Sequence, residues 1–262
     1  MLFGKSFKST KKKNPDIFLE RKRIYNNNNI NLNYLLKKRF LWMNDYLKNK
    51  KIIIELGSGN GCIKKIIKKK IILTDIVKYP WIGKKIDMNN IVLKKNYINK
   101  VDIFILNHSL HHCANPYSAL QIMSKYLKKN GFILMNEPEI SFSLKFIQKV
   151  LNDESWSLKS KVFKKKKIFN SKDPWFSNTA TANLLFENEK KFNKYFPQFK
   201  IINNSLSEFF IFLNSGGVNS SFFYIPLTNV LLSTINLIDK FLIFLFPKIF
   251  ALNRKIILKK IK

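Results

Sequence analysis

A chain of 262 residues, 46% hydrophobic and 14% aromatic, can bury a substantial core, which excludes disorder throughout and allows one large α/β domain or two small ones. Its 48 Lys and Arg against 16 Asp and Glu give a formal net charge of +32, a balance that by itself points to nucleic acid or an anionic membrane. The basic residues are nearly all lysine, scattered among Ile and Asn, whereas phosphate-reading surfaces favour the bidentate fork of arginine. The charge therefore reads as solvated surface, and a nucleic-acid partner is not expected. Cys62 and Cys113 are the two cysteines; they allow neither a disulfide framework nor a four-cysteine zinc site and fit a reducing, cytoplasmic compartment.

Residues 1–30 are polar and basic, lack the apolar run of a signal peptide and end in four asparagines. They are expected to form a mobile arm, with the folded domain spanning 31–262. In INLNYLLKKRFLWMNDYLKNK, residues Ile30, Tyr34, Leu35, Phe40, Met43 and Leu47 recur at helical intervals, which predicts an amphipathic helix across a sheet. From Lys51 short apolar runs alternate with helical segments: KIIIEL, GCIKKIIKKK, IILTDI, VDIFIL, YSALQIMSKYLKK and GFILMNEP. Uniformly apolar runs of four to six residues suit strands covered on both faces, so residues 50–138 are expected to form the core of a doubly wound, mostly parallel α/β sheet. Asn115 and Pro116 start the helix after the fourth run, and Asn130 with Gly131 are expected to end it in a left-handed cap.

Residues 139–198 read as a helical, aromatic insertion with Trp156, Trp175 and Phe176, and strands resume near Phe199 and in the terminal ALNRKIILKKI. Between those strands lies FFYIPLTNVLLSTINLIDKFLIFLFPKIF, interrupted by Asp239 and Lys240 and punctuated by Pro226 and Pro247. It contains no charge-free apolar run long enough to span a bilayer, so a pair of packed helices within 199–262 is expected. That pair could form an apolar lid over the site or lie in the plane of an anionic membrane.

The segment IIIELGSGNGCIKK carries the clearest chemistry. A buried strand ends at Glu55 and Leu56, Gly57, Gly59 and Gly61 alternate around Ser58, and a helix follows. Glycines let the backbone turn sharply and approach a ligand, and amides at a helix start are free to face it. A dinucleotide fingerprint needs a further glycine at position 62, which is Cys62 here, so a nicotinamide oxidoreductase is disfavoured. Asp75 ends the next apolar run, where a carboxylate can accept bonds from both hydroxyls of a ribose. Three histidines, His108, His111 and His112, adjoin Cys113; imidazole and thiolate are zinc ligands, but no carboxylate is close in sequence and no metal is expected.

The pattern E-x-G-x-G-x-G resembles motif I of class I S-adenosylmethionine-dependent methyltransferases, and VDIFILNHSLHHCANPYSALQIMSKYLKKNGFILMNEP resembles the later motifs of the type 11, ubiquinone-methyltransferase-like group. The resemblance implies a Rossmann-like seven-stranded fold, S-adenosylmethionine (SAM) as cofactor, and methyl transfer to a small-molecule, lipid-linked or glycan-linked acceptor at O or C. It also implies that Asp87 and Met88 border the adenine, that Asn107 and His108 touch the cofactor, and that His112, or alternatively His111, faces the acceptor. A histidine there could act as general base for a hydroxyl, and Glu137 could orient the acceptor or be an ordinary hydrogen-bonded residue at a strand end. An RNA methyltransferase is the alternative, although Asn107-His108-Ser109-Leu110 lacks the Pro-Pro-aromatic element of enzymes acting on base amines. A cofactor-binding or membrane-associated protein without catalysis is another, since fold does not guarantee chemistry.

Overall fold

The computed structural model describes residues 16–26, 28–151, 154–169, 176–218 and 221–262. In chain order its helices are α1 (Ile17–Asn26), α2 (Ile30–Phe40), α3 (Asn44–Leu47), α4 (Ile63–Ile66), α5 (Pro116–Tyr126), α6 (Phe142–Val150), α7 (Thr181–Phe186), α8 (Glu189–Tyr195), α9 (Phe210–Leu213), α10 (Asn229–Leu245) and α11 (Pro247–Phe250). The strands are β1 (Ile53–Leu56), β2 (Ile72–Asp75), β3 (Lys84–Lys85), β4 (Val101–Asn107), β5 (Leu127–Pro138), β6 (Phe199–Ser207) and β7 (Asn253–Lys260). They form one sheet in the order β3-β2-β1-β4-β5-β7-β6. Only β7 runs antiparallel, against β5 on one side and β6 on the other.

Alternation along the strands divides the core between two faces. Ile53, Ile103, Ile105 and Leu134 meet Leu36, Phe40, Met43 and Ile63 from α2 to α4. Ile54, Phe104, Leu106 and Ile133 point the other way, to Leu120, Met123, Leu185 and Phe192 of α5, α7 and α8. This is the doubly wound architecture expected of apolar strand runs. Because β7 is reversed, its first residue Asn253 pairs with both Pro138 and Ser207. The segments 139–198 and 208–252 therefore both emerge at the carboxyl edge of the parallel strands, the edge where such sheets bind ligands. A third apolar cluster, including Ile140, Leu144, Phe209 and Ile243, joins them there.

Several expectations need correction. Residues 16–26 and 28–30 are not a mobile arm, whereas residues 1–15 and 27 lie outside the described residues. Asp16 Oδ1 accepts the amides of Phe18 and Leu19 at 3.0 and 3.1 Å and so caps α1, which buries Ile17, Glu20 and Ile24. Asn29 caps α2 in turn through the Leu32 amide at 2.9 Å. In α2 the buried face is Leu32, Leu35, Leu36 and Phe40, while Ile30 is exposed. The helix after the glycine loop is a single turn, and α5 ends at Tyr126, before Asn130 and Gly131, because Leu127 already pairs with Val101 in the sheet. Asn130 is left-handed (φ 61°) inside the β5 segment. Finally, the apolar pair is one long helix, α10, and the short turn α11. Asp239 does not break α10, because its buried carboxylate accepts the amides of Phe209, Phe210 and Ile211 at 3.0, 2.9 and 3.1 Å and caps α9. Among the described residues no helix is long and apolar enough to cross a membrane.

Candidate active site

The loop after β1 is built around its glycines, all three with positive φ: 70° at Gly57, 47° at Gly59 and 69° at Gly61. A Cβ on Gly57 would lie 2.6 Å from the Cβ of Ser109, and one on Gly61 would meet Arg21 Nη1 at 2.9 Å. A Cβ on Gly59 would meet nothing within 4 Å. Two glycines thus admit protein neighbours, and the middle one leaves a bare face of backbone towards open space.

The loop amides are not the free donors anticipated. Ser58 N donates to Thr74 O (2.9 Å), Gly61 N to Ser58 O (2.7 Å), Cys62 N to Asn60 Oδ1 (3.0 Å) and Gly59 N to Asp75 Oδ2 (2.8 Å). Asp75 also accepts from Val77 N at 3.1 Å through Oδ1. Each carboxylate oxygen keeps a second lone pair, so the residue both fixes the loop and can accept from a ribose. Beneath it Glu55 is buried, and burial pushes its carboxyl up to about 8. Met88 reaches over the loop, its Cε 3.7 Å from the Gly57 Cβ direction. Asp87 caps the turn that carries Met88 by accepting Asn89 N at 2.8 Å.

Three residues not anticipated from the sequence hold the loop's carbonyls. Trp81 Nε1 donates to Gly59 O (2.8 Å), Arg21 Nη1 to Asn60 O (2.7 Å) and the Tyr25 hydroxyl to Gly61 O (2.9 Å). The Arg21 guanidinium lies over both rings, 4.2 Å from the centroid of Tyr25 and 4.5 Å from that of Trp81. The i, i+4 spacing of Arg21 and Tyr25, behind the cap at Asp16, is the sequence signal that the polar composition concealed. Glu20 lies in the same contact, accepting from Asn60 Nδ2 at 3.2 Å. Burial pushes its carboxyl up to about 7, against the Asn60 bond and the charge of Arg23; Asp16 adds to the rise.

On the other side, the chain leaving β4 turns at His108, whose φ is 51°. Asn107 Oδ1 accepts from Asn136 Nδ2 at 3.3 Å, and His108 N donates to Asn136 O at 2.7 Å. Burial, then the nearby charge of Arg39, holds the His108 ring well below the usual imidazole range, so it is neutral. Ser109 Oγ donates to Leu56 O at 2.8 Å and joins this turn to the glycine loop. Asn89 Oδ1 accepts the amides of Ala114 (2.7 Å) and Asn115 (3.2 Å) and fixes the far end of the segment.

Glu137, fully buried at the end of β5, organises that turn. Its Oε1 accepts Ser109 N (3.0 Å) and Leu110 N (2.8 Å), and its Oε2 accepts His111 N (3.3 Å) and contacts His111 Nδ1 (2.7 Å). It anchors backbone, which leaves no oxygen for orienting an acceptor. His111 Nε2 lies 3.4 Å from Glu154 Oε1, and His112 Nε2 lies 3.3 Å from the same atom. His112 Nδ1 bonds the Phe176 carbonyl at 3.1 Å. Burial alone would lower His111, yet the charges of Glu154 and Glu137 and their hydrogen bonds push it up to about 10. The expectation that His111 serves as a base is therefore corrected: the ring is 2% exposed and holds its proton at neutral pH. The expectation that no carboxylate lies nearby is corrected as well, since Glu154 arrives from the insertion. Of the insertion's aromatic residues, Trp156 packs on the third apolar cluster, and Trp175 lies outside the described residues.

These groups fit a SAM-type ligand. The exposed Gly59 backbone is a face that any Cβ would fill. Buried Glu55 Oε2 and His108 Nε2 find no hydrogen-bond partner among the described residues, and Asp75 has lone pairs for a diol.

Residues 54–135 match the family model described as "Methyltransferase domain", type 11. This stretch, the centre of the sheet, carries a methyltransferase domain, and the fold is that of SAM-dependent methyltransferases. A SAM-dependent methyltransferase from Archaeoglobus fulgidus is similar over 94% of this chain and 100% of its own, at 15% identity and a TM-score of 0.53, and it shares the fold. A SAM-dependent methyltransferase from Thermotoga maritima is 16% identical, with 94% and 98% covered and a TM-score of 0.49. The trans-methyltransferase CalH, in complex with S-adenosylhomocysteine (SAH), is 12% identical, with 94% and 60% covered and a TM-score of 0.46. No curated protein matches the sequence. The methyltransferase domain includes the glycine loop, and α1, outside the matched residues, closes over that loop through Arg21 and Tyr25.

The two kinds of glycine separate experimentally. Gly57→Ala should cost roughly 3 kcal/mol in urea unfolding, from left-handed strain plus collision with Ser109. Gly59→Ala should cost only about 1 kcal/mol of strain, yet weaken SAH binding at least about tenfold by calorimetry as its Cβ fills the contact face. Equal effects of both substitutions on stability, with SAH affinity intact, would contradict this division. Glu20 predicts a pH effect with a definite sign. Its folded pKa exceeds the unfolded value, so the unfolded chain ionises first and stability falls as pH rises from about 4.5 to about 7. Glu20→Gln should remove this term, and its advantage over the parent chain should grow by roughly 2–3 kcal/mol between pH 4.5 and 7.5. A pH-independent difference would refute the burial of an ionisable group there.

Proposed function

We propose that this methyltransferase modifies an oxygen or carbon of an amphiphilic small-molecule or lipid-linked acceptor, reached from the surface of an anionic membrane. The observation that carries the reading is an apolar face at the carboxyl edge of the sheet. On α10, Val230, Leu237, Phe241 and Phe244 form one stripe exposed to solvent, with Phe244 at 82%. Phe142, Phe146 and Val150 form a second exposed stripe on α6, and Phe223 is 89% exposed. Stripes this apolar on a protein surface mark a contact, and lysines 145, 149, 240 and 248 among them suit anionic headgroups. Asp239 holds the inner side of α10 to α9, so the stripe is the outer face of a docked helix rather than an unfolded segment.

When bound, SAM supplies a sulfonium methyl that is already activated for transfer. The chain's own residues then need to orient the acceptor, exclude water and accept a proton where the acceptor is a hydroxyl. His112 supports the last role better than His111. It is 28% exposed, and because Nδ1 bonds the Phe176 carbonyl, the basic nitrogen is Nε2 beside Glu154.

Sedimentation with vesicles of phosphatidylcholine and phosphatidylglycerol at low salt should carry the protein down, and Phe241→Asp with Phe244→Asp should release it without altering SAH affinity. A chain that stays in solution at low salt, or a double variant that binds as before, would overturn the membrane half. For a hydroxyl acceptor, found by transfer of a labelled methyl group to a lipid extract, His112→Gln should lower kcat by about 10²–10⁴ with SAH affinity unchanged. Unchanged turnover would remove His112 from the proton path.

A further inference from the structure

Three side chains converge at the loop that follows β4: His111 Nε2 and His112 Nε2 lie 3.4 and 3.3 Å from Glu154 Oε1, and the three residues offer ligand atoms within 4.8 Å of one another. From this geometry we infer that His111, His112 and Glu154 form a binding site for a zinc-like divalent cation, with three protein ligands and an open fourth position.

The orientation of the rings favours an ion. His111 Nδ1 is turned onto the Glu137 carboxylate at 2.7 Å, and His112 Nδ1 onto the Phe176 carbonyl at 3.1 Å. Metal-bound histidines are held in this way, with one ring nitrogen donating to a carboxylate or carbonyl while the other keeps its lone pair for the ion. Here both rings present Nε2 to the same place, and the third atom there is a carboxylate oxygen. Without an ion, a proton on His111 Nε2 lies between that ring and the carboxylate; a cation bound there takes the place of that proton, which is released to solvent.

The spacing of the groups favours an ion as well. An imidazolium bonded to a carboxylate should sit at about 2.7–2.9 Å, and the Nδ1 contact to Glu137 does. The two contacts to Glu154 are 3.4 and 3.3 Å, long for charge-assisted bonds. Ligand atoms about 2.0–2.1 Å from a tetrahedral zinc ion are separated from each other by about 3.3 Å. The two separations from Glu154 Oε1 therefore match edges of a coordination tetrahedron better than they match ion pairs, and the ligand atoms of the two imidazoles lie within 4.8 Å of each other. Two imidazoles and one carboxylate are also the ligand set of a catalytic rather than a closed structural zinc site, which needs a fourth protein ligand.

Electrostatics agrees. Glu137 and Glu154 flank His111 on opposite sides and call for positive charge between them, which a divalent cation supplies. The ring of His108, in the turn that Ser109 ties to the Leu56 carbonyl, is 6.4 Å from that of His111, so the three ligands lie in the same region as the cofactor loop. An oxygen ligand, either water or an acceptor hydroxyl, is what the open fourth position takes. The inference does not depend on the membrane reading. It does share His112 with the proposed proton path, so loss of turnover in His112→Gln cannot tell a base from a ligand.

Metal binding can. The full chain, treated with chelator and then titrated with Zn²⁺ by calorimetry and with Co²⁺ by visible absorption, should bind one equivalent of each with a Kd of about 10 μM or below, and Co²⁺ should give the intense bands of a four-coordinate site. His112→Gln and Glu154→Gln, both partly exposed positions, should each weaken binding at least about tenfold, with thermal unfolding and SAH affinity unchanged. His111→Ala is avoided because its buried ring risks the fold. Sub-stoichiometric binding by the parent chain, or variants that bind as it does through the cysteines or surface groups, would overturn the site.

Discussion

The carboxyl group of Glu137 is the constraint on which this site depends. A carboxylate at zero exposure is costly unless its lone pairs are met, and here three consecutive backbone amides and one imidazole meet them. That requirement curls residues 109–111 tightly over the end of β5 and forces His108 into a left-handed turn. It also delivers Ser109 to the Leu56 carbonyl, against the one face of Gly57 that tolerates no side chain. The position of the glycine loop is thus set from below by β1 and from the side by a carboxylate that belongs to another strand.

The opposite flank is set by α1. Arg21 and Tyr25, joined by Trp81 from beyond β2, each take one carbonyl of the glycine loop, so its polar backbone is held by protein, Gly59 included, and only the Cβ side of Gly59 faces open space. Pre-arrangement of this kind suits a cofactor whose reaction needs alignment more than chemical assistance. At the carboxyl edge the chain spends buried polar groups in the same manner: Arg39 pairs with Glu208 at 2.9 and 2.6 Å, and Arg254 with Glu139 at 2.6 and 2.9 Å. These pairs tie α2, β7 and the two excursions together and leave the apolar stripes of α6 and α10 facing outward.

Much of the fold was legible because parallel strands buried on both faces must be continuously apolar, and KIIIEL, VDIFIL and GFILMNEP could be little else. Asn115 followed by Pro116 marked the start of α5 for a local reason that the structure repeats, the Ser118 amide bonded to Asn115 at 3.0 Å. Where the sequence misled, a polar residue acted at a distance. Asp239 looked like a break in an apolar segment and is a cap for another helix. The asparagines before α2 looked like disorder, yet Asn29 is buried and bonds Ser215 O at 2.9 Å. Glu154, 43 residues from His111, could not be paired with it by any local pattern, so the histidine cluster could not be weighed with its carboxylate. The two-residue β3 carries no periodicity to read.

The account stands or falls on how the loop held by Glu137 and the glycine triplet together receive the methyl donor. A crystal structure of the chain with SAH tests this most directly. The account predicts ligand density against the bare face of Gly59, the ribose at Asp75, and residues 109–111 still bonded to Glu137. Density elsewhere on the molecule, or a loop that must leave Glu137 to admit the ligand, would contradict it.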